Sequence, residues 1–307
     1  MFQRKLIVIA ITTLIFLLFC CKDEGKKEVK IVQTNTSSNC PKFIQDQKEN
    51  NLNISVLLDL SDRIEEAKII EKDSAYISSL SKAFVEHVKH KKLILLEDRM
   101  RLFFNPEPSD NRINEIAEKL KIAFTKETAK AQIEETISLY KNTPSELYNI
   151  AKKDAVNAGG YPGADIWRFF KDDVNGYCID ECHRNILVIL TDGYMYYNKT
   201  VMKEKNRTSY LTPKSLNQLQ LNKINWKDEI EKRDLGFIPA TTNLNDLEIL
   251  VIGIASQNDE NPYAQDIIEA YWGKWFDDMD VKKYKIKKAD IPSSIEKVIF
   301  DFILNKK

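Results

Sequence analysis

The sequence predicts an α/β protein: a Rossmann-like, doubly wound sheet that is mainly parallel and has helices on both faces. Three runs are almost wholly apolar and rich in β-branched residues, as strands covered on both faces are: NISVLLDL, NILVILTDG and LEILVIGIA. Segments with apolar residues at helical spacing separate these runs. In two of the runs an aspartate lies at the predicted strand end, Asp59 in the first and Asp192 in the second. Alternation of short apolar strands with helices favours a parallel sheet between helical layers.

The first half of the chain gives these elements in order. The first strand covers 54–58, and a helix follows it with Asp73 or Ser74 as its cap. RMRLFF is the next strand, because NPEP stops it, and Ser109 or Asp110 caps the helix after it. A further helix is expected across 131–140. The apolar faces of the first two helices are Ile77, Leu80, Phe84 and Val88, then Ile113, Ile116, Leu120 and Phe124.

The second half repeats the pattern. GGYPGADIWRFF interrupts regular structure and resumes as a helix at Ile166. After the third apolar run comes a helix with a wide apolar face, on which Trp272 and Trp275 are expected in the core. KKYKIKK, with alternating lysines, is expected to be an edge strand, and Ser293 or Ser294 to cap a final helix.

The N-terminus predicts export. Arg4 and Lys5 precede an apolar run over 6–19, which is short for a membrane span, so a signal peptide is expected over 1–20 in preference to an uncleaved anchor. The end, LFCC, resembles a bacterial lipobox, which implies lipidation of Cys21, with Cys20 as the alternative. The following Lys-Asp-Glu resembles an export signal that sends some lipoproteins to the outer face of the outer membrane, which implies an outer-membrane location with surface exposure as the further expectation. Residues 21–51 are polar and are expected to form a flexible tether.

The remaining residues, 52–307, fit one large domain. Lys plus Arg and Asp plus Glu both number 46, so the formal net charge is +0 and no nucleic-acid partner is expected. The other cysteines are Cys40, Cys178 and Cys182, and in an oxidising compartment two of them are expected to form a disulfide. The sequence leaves open whether Cys178 pairs with Cys182 or with Cys40. Zinc on Cys178, Cys182 and His183 is a weaker alternative, because no fourth ligand is evident.

DLSDR and the later ILTDG together resemble the von Willebrand factor type A domain. In that family a first strand ends in Asp-x-Ser-x-Ser, a loop supplies a threonine, and a later strand ends in aspartate. These residues hold Mg²⁺ or Mn²⁺ in a metal-ion-dependent adhesion site that a ligand carboxylate completes. The resemblance implies metal ligands at Asp59, Ser61 and Asp192. Hard divalent cations prefer such oxygen ligands.

Two positions depart from the family pattern. Arg63 stands where the second serine is expected, and Ala164 where the threonine is expected, with Asp165 beside it as a further candidate ligand. Arg63 brings a permanent positive charge to this end of the sheet. One alternative is that it pairs with Asp59 and Asp192 and replaces the metal. The other is that it turns outward towards an anionic partner, beside a more weakly bound ion.

The site residues favour binding over catalysis. Strand-end acids and a hydroxyl, without a nucleophile and base, are typical of an adhesion or protein-binding module on the cell envelope. A metal-dependent hydrolase of phosphatase type is the alternative, but Ser61 stands where the haloacid dehalogenase class has its second acid. A metal-free scaffold subunit of an envelope complex is the other alternative. The expectations are therefore no enzyme activity, a protein ligand or complex partner, and membrane attachment through the lipid.

The connection over 194–246 is unusually long for a link between neighbouring parallel strands. It begins with YMYYN beside the predicted site and contains Tyr210, Trp226 and Phe237. One interpretation is that its aromatic residues give partner specificity. The other is a solvated insertion with one helix near 226–232.

Overall fold

A computed structural model describes residues 40–305, apart from 109, 159, 162, 258 and 259. These residues belong to one compact unit, Cys40–Lys307. The expected signal peptide, both lipobox cysteines and residues 21–39 of the expected tether lie outside the described residues. Both hydrophobic clusters consist of residues from this unit, so we expect residues 40–307 to fold by themselves.

The strands and helices alternate along the chain. The strands are β1 (Leu52–Leu58), β2 (Arg99–Phe103), β3 (Ile122–Ala123), β4 (Arg184–Leu190), β5 (Lys203–Glu204), β6 (Arg207–Thr208), β7 (Gly236–Phe237), β8 (Leu247–Ile254) and β9 (Lys283–Lys288). The helices are α1 (Lys42–Gln45), α2 (Ala67–Lys89), α3 (Asn111–Lys119), α4 (Lys130–Ala158), α5 (Ile166–Arg168), α6 (Val174–Cys178), α7 (Pro213–Gln218), α8 (Trp226–Lys232), α9 (Ala264–Asp278) and α10 (Pro292–Ile303). One π-helical turn, Phe169–Asp173, joins α5 to α6.

The main sheet confirms the predicted fold class. Its strand order is β3-β2-β1-β4-β8-β9, and every neighbouring pair is parallel except β2 with β3. Every residue of β1, β4 and β8 is buried, which explains why their sequences are nearly continuous apolar runs. KKYKIKK forms β9 at the edge of the sheet, as predicted.

Helices cover the sheet on both faces and divide the core in two. Alternate residues of β1 enter different clusters: Ile54 and Val56 pack with α2, α4 and α10, whereas Leu57 packs with α9 and the long connection. Trp272 and Trp275 are fully buried in the second cluster, which confirms their predicted place in the core.

Three helix boundaries differ from the sequence prediction. Helix α2 begins at Ala67, so neither Asp73 nor Ser74 caps it, and Asp73 lies buried within the helix. Helix α4 runs on to Ala158 despite Pro144, far beyond the expected end near 140. In α10 the proline at the first position fixes the start, so the cap is Ile291 and not a serine. Tertiary packing outweighs local propensity in the first two cases.

The segment before β1 is attached to the domain. Cys40 forms a disulfide with Cys182, with 5.3 Å between their Cα atoms, whereas Cys178 is a free, buried thiol. Neither pairing considered for Cys178 therefore occurs, and burial raises the pKa of its thiol to about 12. Because Cys182 is oxidised, it offers no thiolate to zinc. The compact unit thus begins at Cys40, before the expected end of the tether at residue 51.

The long connection over 194–246 is folded into the second cluster. It contributes α7, α8 and a small three-stranded sheet in the order β5-β6-β7. Trp226 and Phe237 are buried, and the expected helix near 226–232 is α8. The connection is therefore part of the core, not a loose insertion. Within the described part of the chain, no helix combines the length and apolar character needed to span a bilayer.

Candidate functional site

The candidate site lies where the strand order of the sheet reverses. From β1 the chain proceeds to β2 on one side, and β4 pairs with β1 on the other. In open α/β sheets, the crevice beyond the carboxyl ends of such a strand pair is where ligands bind. Asp59 follows β1 directly and Asp192 follows β4 after one residue, so the topology brings both predicted acids to this crevice.

Asp59 is buried behind the crevice. One of its carboxylate oxygens, Oδ1, accepts a hydrogen bond of 2.9 Å from the backbone N–H of Ser61. The other, Oδ2, accepts one of 2.7 Å from the Thr191 hydroxyl. The side chain is 1% exposed. Asp59 therefore fixes the loop after β1 and joins it to the end of β4, while Ser61 borders the crevice.

Asp192 borders the crevice itself. Its Oδ1 accepts a hydrogen bond of 3.0 Å from the Tyr194 backbone N–H, and its Oδ2 lies 3.3 Å from Gln257 Nε2. The glycine that follows is required sterically: Gly193 has φ +94°, and a Cβ there would lie 2.5 Å from Ile268 Cγ2. The sharp turn at Gly193 aims Asp192 at the crevice.

Arg63 adopts neither of the two expected orientations. Its guanidinium turns inward, and Nη1 and Nη2 donate to the carboxylate of Asp73 at 2.8 and 3.2 Å. Tyr148 donates to the same carboxylate at 2.8 Å. Burial alone would lower the pKa of Arg63, but the charge and hydrogen bonds of Asp73 raise it. Arg63 touches Asp59 only through a bond of 3.3 Å to its backbone carbonyl, so its charge is used inside the domain.

The loop that should supply the family's threonine also differs. Ala164 borders the crevice without an oxygen ligand. Asp165 caps α5: its Oδ1 accepts from the Arg168 backbone N–H at 3.2 Å and from the Thr200 hydroxyl at 2.9 Å. Burial raises the pKa of Asp165, and its Oδ2 has no hydrogen-bond partner. The structure thus gives Asp165 a capping role and does not place it with Ser61 and Asp192.

Ser61, Ala164 and Asp192 border a pocket of about 470 Å³. Its polar groups include Ser61, Asp62, Asp192 and Gln257. The long connection adds Tyr194 and Tyr196, and Tyr196 is half exposed and packs edge-to-face on Tyr210. The rest of the lining is Gly160, Tyr161, Gly163, Ala164, Thr212 and Pro213. The pocket therefore combines the buried acid Asp192, the hydroxyl residues Ser61 and Thr212, and an aromatic rim.

The carboxyl group of Asp192 has a raised pKa. Burial, together with the nearby charge of Asp59, raises the pKa of Asp192 to about 7. The positive charge of Arg63 lowers this pKa but is directed at Asp73. Burial of this carboxylate and its repulsion by Asp59 therefore favour a proton or a cation at Asp192.

This shift predicts a pH-dependent stability. The folded-state pKa lies above the unfolded value of about 3.9, so the stabilisation from protonated Asp192 is complete below about pH 4 and is lost as the pH rises through about 7. With a chelator present, we expect Asp192→Asn to raise the free energy of unfolding by on the order of 2 kcal/mol at about pH 8, and to change it little at about pH 4. Urea unfolding at both pH values measures this.

The matched control is Glu71→Gln, because Glu71 is an exposed acid of α2 that does not border the pocket. We expect it to have no pH-dependent effect. An equal effect of Asp192→Asn at both pH values would contradict the raised pKa.

The donor set fits a divalent ion that keeps most of its waters. Ser61 and Asp192 border the pocket directly, and Asp59 supports them from behind. Mg²⁺ is commonly held by one or two carboxylates with several waters. No group of three or more His, Cys, Asp or Glu side chains suited to a metal occurs in the part of the chain that the structure describes. Any ion here would therefore depend on the Ser61 hydroxyl and on water.

Comparison with known proteins gives distant likenesses. No protein-family model matches the chain, and no curated protein matches it. Among solved structures, the pilus adhesin SpaC from Lactobacillus rhamnosus GG, in its open conformation, is similar at 11% identity with a TM-score of 0.37. A second SpaC structure is similar at 11% identity with a TM-score of 0.34. In both, 83% of this chain is covered but only 30% of SpaC, so the chain spans about a third of that protein.

Sequence reasoning missed four residues that shape the site. They are Thr191, which bonds Asp59; Asp73 and Tyr148, which hold Arg63; and Gln257, which approaches Asp192. Asp73 had a local signal, since it lies four residues before Ile77 on the apolar stripe of α2. An acid on an apolar stripe needs a buried partner. The other three had no such signal.

Proposed function

We propose that this chain is a lipid-anchored protein of the bacterial cell envelope. Its domain binds a protein ligand through the pocket at the carboxyl ends of β1 and β4, with Mg²⁺ or Mn²⁺ completing the site. Cys21, or Cys20 in the alternative, carries the lipid, and the outer membrane is the proposed location. The site works by binding and not by catalysis.

The observation that carries this proposal is that Ser61 and Asp192 border the same pocket, with Asp59 behind them. The arrangement is similar to the metal-ion-dependent adhesion site of von Willebrand factor type A domains at three of the positions that hold the ion. A divalent ion would neutralise the charge of Asp192, whose pKa is raised by burial and then by the nearby charge of Asp59. A ligand carboxylate would then replace one of its waters.

The aromatic rim supports a protein as the ligand. Tyr194 and Tyr196 border the pocket from the long connection, and tyrosine is enriched among residues that dominate binding interfaces. The imidazoles lie elsewhere, which supports a non-catalytic role. His87 contacts the Asn50 carbonyl at 3.0 Å, and His183 contacts the Glu97 carbonyl at 2.5 Å, both at the opposite end of the sheet. General acid–base catalysis at the pocket would lack its commonest participant.

Metal titration tests the proposal. We expect Mg²⁺ and Mn²⁺ to bind residues 40–307 in calorimetry with a dissociation constant on the order of millimolar, because two protein groups and water supply the ligands. Ser61→Ala should weaken binding about tenfold, since it removes an oxygen donor. This variant should keep its melting temperature without metal, because Ser61 is part-exposed and its backbone holds Asp59.

Asp59→Ala should abolish binding, and Glu71→Gln, at an exposed acid of α2 outside the pocket, serves as the control with little effect. If the parent shows no heat of binding and no rise in melting temperature with millimolar metal, the divalent site is excluded. Binding that Ser61→Ala leaves unchanged would place the ion elsewhere.

A further inference from the structure

A short apolar loop is exposed at the amino-terminal end of the sheet, opposite to the pocket. It is the 3₁₀ turn Leu93–Leu95 between α2 and β2. The three residues are consecutive and are 51%, 74% and 58% exposed. Leu96, which follows, is 1% exposed and anchors the loop in the core. Three adjacent large apolar side chains in solvent are costly unless something covers them.

The loop is held firmly on both sides, so its exposure is built into the fold. Asp98 is fully buried and accepts hydrogen bonds from the Leu52 backbone N–H at 2.8 Å and from Lys91 Nζ at 2.6 Å. His87 Nε2 lies 3.3 Å from the same carboxylate. Next to Asp98, the carbonyl of Glu97 faces His183 Nε2. These contacts present the apolar turn on a rigid base.

Basic side chains stand directly before the apolar turn. Lys89, His90 and Lys92 are all exposed. Lys89 has one acidic neighbour, Glu134, at 3.6 Å, and both side chains are solvated, so the pair is weak. Glu97 is the exposed acid that follows the turn. Exposed lysines next to leucine and isoleucine are typical of segments that lie in the interface of an anionic membrane.

The start of the compact unit lies at the same end of the domain. Cys40 is bonded to Cys182, whose neighbour His183 contacts Glu97. Asn51 accepts a hydrogen bond of 2.8 Å from Lys91. Cys40, the first described residue, therefore lies at the same end of the domain as the apolar turn. Any lipid near Cys21 would be joined to the domain at this end.

We propose that the Leu93–Leu95 turn enters the headgroup region of a phospholipid membrane, with Lys89 and Lys92 against lipid phosphates. The choice of a membrane as the occupant rests on the proposed lipid anchor. Docking in this way would orient the domain, because the pocket lies at the opposite ends of the parallel strands. The pocket would then face away from the membrane, towards a partner.

Vesicle sedimentation tests this inference with residues 40–307, which carry no lipid, in the presence of a chelator. We expect the unmodified domain to sediment with phosphatidylcholine vesicles that contain phosphatidylglycerol, and much less with phosphatidylcholine alone. Ile94→Asp should lower the partition coefficient about tenfold or more. Lys92→Glu should lower it about fivefold or more, as expected for the loss of a lysine near an anionic surface.

The chain offers matched controls at Lys223 and Ile224. Both are exposed, and Ile224 is 87% exposed in a different loop. Ile224→Asp and Lys223→Glu should leave sedimentation unchanged, and all four variants should keep the melting temperature of the parent. No sedimentation, or equal losses from Ile94→Asp and Ile224→Asp, would overturn the proposal.

Light scattering tests whether a second copy of this chain, and not a membrane, covers the turn. A dimer in solution that Ile94→Asp converts to a monomer, without vesicle binding by the parent, would assign the turn to self-association and would also overturn the proposal. Neither lipidation nor metal enters these measurements, so failure here leaves the proposed anchor and metal site standing. A failed metal titration would likewise leave this inference standing.

Discussion

Replacement of Asp73 by alanine is expected to lower the free energy of unfolding by about 3–5 kcal/mol. The variant leaves the Arg63 guanidinium buried without its carboxylate partner, and the Arg63 side chain is only 3% exposed. Tyr148 would lose its acceptor at the same time. Urea unfolding followed by circular dichroism measures the change.

Three further variants separate the causes. Tyr148→Phe removes one hydrogen bond and should cost about 1 kcal/mol. Arg63→Met combined with Asp73→Leu replaces the pair by apolar residues and should recover most of the loss. Asp62→Ala, at the exposed neighbour of Arg63, should change stability by no more than about 0.5 kcal/mol. A cost for Asp73→Ala as small as that for Asp62→Ala would mean that the buried pair does not form.

This pair also explains how the domain tolerates an arginine in a loop that follows a strand end. Gly253 lies next to the guanidinium, and the close Thr191 carbonyl requires the glycine: its φ is +107°, and a Cβ there would lie 2.8 Å from that oxygen but at ordinary contact distance, 3.5 Å, from Arg63 Nη2. Arg63 therefore connects the loop after β1 with α2 and, through Tyr148, with α4. The positive charge of Arg63 stabilises the elements around the site, while the lining of the pocket remains acidic.

Loss of the Cys40–Cys182 disulfide is expected to cost about 2–5 kcal/mol of unfolding free energy. The bond closes a loop across a sequence separation of 142 residues, so it removes much conformational freedom from the unfolded chain. The double variant Cys40→Ser, Cys182→Ser should unfold at a lower urea concentration than the oxidised parent. Dithiothreitol should bring the parent to the level of this variant.

Cys178→Ala is the matched control, because Cys178 is buried but not bonded to another cysteine. It should keep the full sensitivity to dithiothreitol that the double variant lacks. A non-reducing digest should contain a peptide pair joined through residues 40 and 182. A pair joined through residue 178 would contradict the structure.

Much of the fold could be predicted because its signals are local. The apolar runs of β1, β4 and β8 indicate strands covered on both faces, and the alternating lysines of β9 indicate an edge. The final positions of these strands also place Asp59 and Asp192 at one end of the sheet. Helix boundaries were less predictable, since α4 continues through Pro144 where packing against α2 supports it.

The connection over 194–246 shows where local signals become ambiguous. Aromatic residues such as Trp226 and Phe237 are equally compatible with an interface and with a core. Their burial in the second hydrophobic cluster decides for the core, whereas Tyr194 and Tyr196 remain at the pocket. Side-chain type alone does not distinguish the two outcomes, because both remove aromatic surface from water.

The sequence by itself determined the α/β class, the five longer strands of the main sheet (β1, β2, β4, β8 and β9) and the pair of acids at the strand ends, because each depends on residues close together in the chain. Only the tertiary structure decided the orientation of Arg63, the raised pKa of Asp192 and the pairing of Cys40 with Cys182. Thr191 bonds Asp59 across 132 residues, and Tyr148 bonds Asp73 across 75. Such contacts depend on which elements pack together, and no local periodicity encodes that choice.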